Sequence, residues 1–387
     1  MSIRLIVSTF IFVCIYELCE GQCERNFEER FDCVPDLSTE NKTVLKDICT
    51  QRKCCYNDVA NESIPVCFYP SGYTNYVVIK EWKSKTSLKL LLLAKTALPV
   101  WPVDQRITLV VIIDYINVKV VRVTIQKPND LDAYTGDEIL ESNFRRSKLS
   151  NKEYEVLVNK NPFSFSVIRK STNAIIFNTS VSDIIYGTRF KQISSKIGEA
   201  NSCIYGLAEH TTDLCIPTNE RKLYTLFNRG DQPQEKNDTR FNLYGFHPFY
   251  LAMEKDGNAH GVYFHNTNAM DIVVQPGSTI TYRTVGGHLD FFFLLGPQPD
   301  DVTTQYTSIV GRPFLPPYWA LGFHLCRYDY NSTEITRKTW KRTVDAGIPL
   351  DVQWNDIDFM DNYKDFTYDP IKYKGLPDFI KELHDAN

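Results

Sequence analysis

Between residues 73 and 300 the apolar side chains recur at every second position, not every third or fourth. Val118, Val120, Val123 and Ile125 alternate with Asn117, Lys119, Arg122 and Thr124, and 163–167 and 279–283 repeat the same period of two. Such alternation belongs to strands that bury one face. At Val120 and Val121 the alternation slips by one residue, which predicts a β-bulge. Asp256-Gly257 predicts a tight hairpin between strands over 249–254 and 260–264, and Pro276-Gly277 marks another turn. Many short strands with turn signals between them predict an antiparallel β-sandwich over 73–304.

The pattern changes after Pro313, Pro316 and Pro317. An apolar run over 318–325 predicts a strand, and Ser332 or Thr333 caps a helix that runs to about 345. Gly347 ends that helix, 350–354 predicts a second strand, and Pro377 opens a helix through 386. Strand, helix, strand, helix is the order of a parallel sheet or a (β/α)₈ barrel, here from about 305 to 387. In such folds the chemistry sits where strands end. The second strand runs straight into Asn355-Asp356-Ile357-Asp358.

At the other end, Arg4 precedes a twelve-residue apolar run over 5–16. As a helix it would span ~18 Å, against ~30 Å for a bilayer core. It reads as a secretory signal peptide over 1–21, cut after Gly21, in preference to a membrane anchor. No later run of 18 apolar residues occurs, so no membrane span is expected after cleavage. An oxidising compartment also suits five glycosylation sequons, at Asn41, Asn61, Asn178, Asn237 and Asn331.

Composition narrows the picture further. With 43 Lys+Arg against 47 Asp+Glu, a net charge of −4 and no basic block, the chain has no electrostatic footprint for nucleic acid. Its 23 Phe, 22 Tyr and 5 Trp are too much aromatic surface for a disordered coil. No segment recurs at a period of 20–50 residues. The cluster Asp356, Asp358 and Asp361 lacks the glycine and distal glutamate of a calcium loop, and no metal or cofactor is expected.

Six cysteines fall within residues 22–72: Cys23, Cys33, Cys49, Cys54, Cys55 and Cys67. So short a segment needs staples, and three disulfides of ~2–5 kcal/mol each supply them. Zinc is disfavoured because no Cys-x-x-Cys pair occurs. Six cysteines allow fifteen pairings, and spacing leaves them open. Cys203 and Cys215, further on, are equally able to pair or to stay apart.

The head resembles a trefoil (P-type) domain. Arg30 stands three before Cys33, four residues separate Cys49 from the Cys54-Cys55 pair, Tyr56 follows that pair, and Phe68 follows Cys67. The resemblance implies Cys23–Cys55, Cys33–Cys54 and Cys49–Cys67. Fifteen residues between Cys33 and Cys49 exceed the family's usual gap, so the loop around Asn41 reads as an insertion.

Four longer strings resemble glycoside hydrolase family 31, its trefoil-bearing α-glucosidases above all: NLYGFHPFYLAME at 242–254, NTNAMDIVVQPG at 266–277, PPYWALGFHLCRYDY at 316–330 and PLDVQWNDIDFMD at 349–361. The resemblance runs over about 200–370 and implies retaining hydrolysis of terminal α-linked glucose in an α-glucan or maltooligosaccharide. It implies that Asp356 holds the hydroxyls of the bound glucose. It makes Ile357 and Tyr328 the apolar wall and aromatic of that subsite, and Asp271 with Met270 a sandwich loop reaching the leaving sugar. A bidentate carboxylate and apolar faces suit a pyranose on physical grounds as well. A glycan on Asn331, just past the first barrel strand, would have to point away from substrate.

Retaining hydrolysis needs two carboxylates ~5–5.5 Å apart. The family's nucleophile lies in a Trp-x-Asp-Met-Asn-Glu string that does not occur in these 387 residues; Trp354 to Asp358 aligns with the earlier, substrate-binding strand. Two strands of eight leave an open edge. If eight apolar side chains stay uncovered at ~1.5–3 kcal/mol each, the loss of ~12–24 kcal/mol matches or exceeds a domain's ~5–15 kcal/mol stability. The expectation is therefore the N-terminal part of a longer secreted or lysosomal α-glucosidase, inactive alone. The alternative is a secreted, non-catalytic carbohydrate-binding trefoil protein.

Overall fold

The computed structural model describes residues 23–37, 39, 41–59, 64–95, 105–129, 140, 149–198, 203–230 and 242–386. The expected signal peptide and the sequons at Asn61 and Asn237 lie outside them. Two compact units result, Met1–Gly311 and Arg312–Asn387. No helix of the described residues is long and apolar enough to cross a membrane.

The head of the first unit is built around sulfur. Cys23–Cys55, Cys33–Cys54 and Cys49–Cys67 are bonded, with Cα–Cα separations of 5.5, 6.4 and 5.8 Å. Helix α1, Lys42–Gln51, starts where the Asn41 side chain accepts from the N–H groups of Thr43 and Val44. A two-strand ladder pairs Cys55–Tyr56 with Cys67–Phe68. Arg52 forks onto both carboxylate oxygens of Asp36 at 2.6 and 2.7 Å and reaches the Cys33 carbonyl. Ile185, a residue of the sandwich, is buried in this small core beside Phe31, Cys49 and Tyr69.

The remainder of the first unit is a pair of antiparallel sheets. One runs, in spatial order, Lys222–Leu226, Met270–Gln275, Thr279–Thr284, Lys191–Lys196, Ile175–Asn178, Phe163–Arg169 and Tyr154–Lys160, with Ile185–Tyr186 paired to its middle. The other is nine-stranded, from Ile216–Pro217 at one edge to Tyr76–Lys83 at the other. Phe165, Phe177, Phe291, Phe293 and Tyr282 are buried in the core they share. The hairpin expected at Asp256-Gly257 is present, pairing Phe249–Met253 with Ala259–Phe264. Cys203 and Cys215 are bonded across an edge pair of strands.

The bulge expected at Val120 and Val121 is not there. Val120–Gln126 pairs in unbroken register with both neighbouring strands. Both faces of this strand are covered. Val121 and Val123 point into the sandwich core, while Val120 packs under helix α2, Pro299–Val310, with Val302 and Ile309. Register breaks occur instead between Val78 and Lys80 and between Val167 and Ile168. Because α2 packs on the sandwich, it belongs with the first compact unit, which runs to Gly311.

In the second unit the short strands His324–Leu325 and Val352–Gln353 pair in parallel. Helix α3, Thr333–Asp345, is capped by Ser332, whose Oγ accepts from the Ile335 N–H at 3.2 Å. Helix α4, Leu376–Asp385, carries Pro377 in its first turn. The strand expected over 318–325 is a correction: Tyr318–Leu321 is a turn of 3₁₀ helix, and only its last two residues are strand. An apolar run this short does not distinguish strand from helix, and here Pro317 starts a turn whose carbonyl takes the Ala320 N–H at 3.0 Å. Two parallel strands form no closed barrel.

Candidate substrate-pocket residues

The second unit sets its polar residues at the carboxyl ends of the two parallel strands, the side on which this kind of fold carries its chemistry. After Val352–Gln353 the chain passes Trp354 and Asn355 to Asp356. Asn355 is anchored: its Oδ1 accepts from the buried Thr336 hydroxyl of α3 at 2.8 Å. Asp356 caps the 3₁₀ turn Ile357–Phe359, with Oδ1 taking the Ile357 N–H at 2.7 Å. No side chain of the described residues hydrogen-bonds its carboxylate, which is partly exposed.

After His324–Leu325 come Cys326, Arg327 and Tyr328. Tyr328 and Ile357 are both half-exposed. The hydroxyl of Tyr328 lies 3.1 Å from that of Tyr363, and this contact raises the Tyr328 phenol above its ordinary value. Cys326 is the free cysteine among the described residues. Burial and then the Asp356 and Asp358 carboxylates push its thiol up, the reverse of what an activated nucleophile needs.

Asp358 ties these pieces together, a role the sequence did not disclose. Its Oδ2 accepts from the Asp329 N–H at 3.1 Å and from the Tyr373 hydroxyl at 3.2 Å. One carboxylate thus joins the loop that carries Tyr328 to the turn that carries Asp356. The repeated aspartates at 356, 358 and 361 were the available signal. Of the three, Asp358 joins separate segments, whereas the Asp356 and Asp361 carboxylates accept from the residues that follow them.

In the first unit Met270 and Asp271 open the strand Met270–Gln275. Asp271 Oδ1 accepts from the Thr225 hydroxyl at 2.7 Å and is partly exposed. Met270 is only 3% exposed and packs in the sandwich core. Its thioether therefore supports the strand end, while the carboxylate beside it is the group able to meet a ligand. The one grouping of three or more potential metal-ligand atoms among the described residues is Cys33, Cys54 and Cys67, all in disulfides.

Three sequons fall on described residues. Asn41 is exposed at the cap of α1, and Asn178 ends a strand with its Oδ1 on the Ser180 N–H. Asn331 is exposed, in a left-handed conformation at φ 63°.

A disulfide-stapled head, a double antiparallel sheet, and βα units with carboxylates on their strand ends are together the plan of a modular glycoside hydrolase. Family models match along the chain in that order: a trefoil (P-type) domain at 20–70, the glycosyl hydrolase 31 N-terminal galactose mutarotase-like domain at 113–272, and the glycosyl hydrolases family 31 TIM-barrel domain at 313–387. The chain carries glycosyl hydrolase family 31 domains behind a trefoil domain. It is 37% identical over 369 residues to the lysosomal alpha-glucosidase of Mus musculus, covering 94% of this chain and 37% of that protein. To the intestinal sucrase-isomaltase of Oryctolagus cuniculus it is 34% identical over 368 residues, 95% of this chain and 19% of that protein. The chain thus spans under two-fifths of these relatives. The solved catalytic subunit of ER glucosidase II shares the fold, with a TM-score of 0.68 at 17% identity over 81% of this chain and 42% of that one.

Proposed function

We propose that this chain is the N-terminal part of a retaining α-glucosidase and supplies part of its glucose pocket. The observation that carries the reading is the placement of Asp356 and Tyr328 at the carboxyl ends of adjacent parallel strands. Asp356 offers a carboxylate to two sugar hydroxyls, a charge-assisted contact stronger than a neutral one. Ile357 and Tyr328 offer apolar and aromatic surface to the C–H face of the ring, and Asp271 meets the next sugar. The substrate class is an α-glucan or maltooligosaccharide. The disulfide-rich head supports passage through the secretory pathway, and the lysosome or the exterior is the destination that this reading assigns.

In the secreted enzyme that carries this chain, Asp356→Ala should lower kcat/KM for maltose by about 10²-fold or more, the usual scale for a lost charged contact to substrate. Residues 22–387 alone should release no glucose from an α-glucoside above the uncatalysed rate. Turnover by residues 22–387 that disappears with Asp356→Ala would overturn the reading of these residues as a pocket without its catalytic pair.

A further inference from the structure

The loop beyond the second parallel strand adopts a backbone that its own side chains disfavour. Asn362 and Tyr363 are consecutive residues at positive φ, 51° and 56°. Asparagine tolerates that region, but a tyrosine there brings its Cβ against the backbone and is an outlier. Three hydrogen bonds keep the chain in place. The Asp369 N–H donates to the Phe359 carbonyl at 2.8 Å and closes the loop at its base. Inside the loop, Thr367 Oγ1 accepts from the Asp361 N–H at 3.0 Å, and the same hydroxyl donates to the Lys364 carbonyl at 2.6 Å.

Packing gives no reason for the strain, since Tyr363 is 62% exposed. The one side-chain hydrogen bond it makes among the described residues runs to the Tyr328 hydroxyl, 3.1 Å away. Tyr328 is the half-exposed aromatic at the end of the first parallel strand. Next to it, the backbone is fixed by Asp358, which takes the Asp329 N–H. The far end of the ring is held by Tyr363 alone among the described residues. A half-exposed ring without that tether would exchange between staggered rotamers. A phenol has one proton and two lone pairs, so whichever tyrosine donates to the other, one O–H stays free for a ligand hydroxyl.

We propose that Tyr363 is a positioning residue of the glucose pocket: its strained loop sets the Tyr363 hydroxyl against Tyr328 and fixes the Tyr328 ring in the orientation that receives the sugar. The inference rests on the pocket reading above and adds a residue that lies outside the four strings carrying the family resemblance. Strain held in this way pre-organises a site before the ligand arrives.

The test is a double-mutant cycle in the secreted enzyme that carries this chain, read by maltose kinetics. Tyr363→Phe removes one exposed hydroxyl and should raise KM about two- to tenfold, the span of one net hydrogen bond, with kcat nearly unchanged. Tyr328→Phe should raise KM comparably, and the double variant no further, because Tyr363 acts through that hydroxyl. Tyr363→Gly accepts the left-handed backbone without strain. It should raise KM at least as much, with a thermal-inactivation midpoint no lower than the parent's, whereas a merely structural residue would lower the midpoint. An unchanged KM in Tyr363→Phe overturns the proposal. So do KM effects that multiply in the double variant, or a Tyr363→Gly protein that loses stability along with affinity. Asp356→Ala separates the two readings. If it lowers kcat/KM while Tyr363→Phe does nothing, the pocket stands and Tyr363 has no part in it; if it leaves kcat/KM unchanged, the pocket reading falls and takes this proposal with it.

Discussion

Asn41 does two jobs with two atoms. Its Oδ1 takes the N–H groups of Thr43 and Val44 at 3.1 and 3.2 Å and starts α1, which leaves Nδ2 for a glycan. The two roles separate by substitution. Asn41→Asp keeps the cap and abolishes glycosylation at this site, so the electrophoretic shift should fall by one glycan with stability nearly unchanged. Asn41→Ala removes both and should cost a further ~0.5–2 kcal/mol in urea unfolding. If the two variants unfold alike, the cap contributes nothing. Loop ties such as Asp358 show the limit of sequence reading at this scale. An aspartate string reveals that something is held, but only the fold shows that it holds Asp329 and Tyr373.

Among elements, the hairpin of 249–264 depends on a buried cluster. Arg169, from the opposite sheet, donates to both oxygens of Glu254 at 2.8 and 2.6 Å, and His260 Nδ1 lies 3.0 Å from Oε1. Burial alone would raise the Glu254 carboxyl, but the hydrogen bonds of His260 and Arg169 outweigh it and hold the group at about 2. A depressed carboxylate stabilises the fold above its unfolded value of about 4.5, and the contribution is lost as pH falls from there toward 2. Glu254→Gln should therefore lose ~3–5 kcal/mol at pH 7, because Arg169 is left buried without its charge partner. The variant's unfolding midpoint should also fall less steeply than the parent's between pH 4.5 and 2. Parallel pH profiles for the two proteins would show that Glu254 is not the group that titrates.

The same elements show what the sequence could tell. The hairpin at Asp256-Gly257 and the Ser332 cap were legible because turns and caps are local chemistry. Val120 and Val121 misled because helix α2, some 180 residues later in the chain, covers a face that alternation assigns to solvent. The strand Leu289–Leu294 is the clearest case. Leu289, Phe291 and Phe293 enter the sandwich core, Phe292 and Leu294 lie under α2, and Asp290 is held by Arg122 and Thr124. The strand at 318–325 failed for another reason: eight apolar residues fit a 3₁₀ turn as well as a strand.

On the scale of the molecule the two units differ in how much apolar surface they cover. The sandwich buries its aromatics, whereas Phe314, Leu315 and Tyr318 in the second unit are 82, 89 and 92% exposed. The largest buried cluster of that unit is Tyr373, Leu376 and Phe379, with Trp340, Phe359 and Leu383 beside it. That is little for 76 residues to fold on. Brief proteolysis of residues 22–387 should therefore trim the chain back to a fragment ending near Gly311. The binding of a hydrophobic dye should fall with the trimming. A digest that spares 312–387 while cutting the sandwich would contradict this ordering.

The sharing of Ile185 between head and sandwich reaches into the protein's biogenesis. The core around Cys33, Cys49 and Cys67 is completed by a residue that arrives more than a hundred positions later, so it closes only once that part of the sheet is in place. A thiol exchange enzyme meeting the nascent molecule finds those disulfides accessible for as long as the sandwich is unfinished. The redox state of fifty residues thereby becomes a running report on the folding of three hundred.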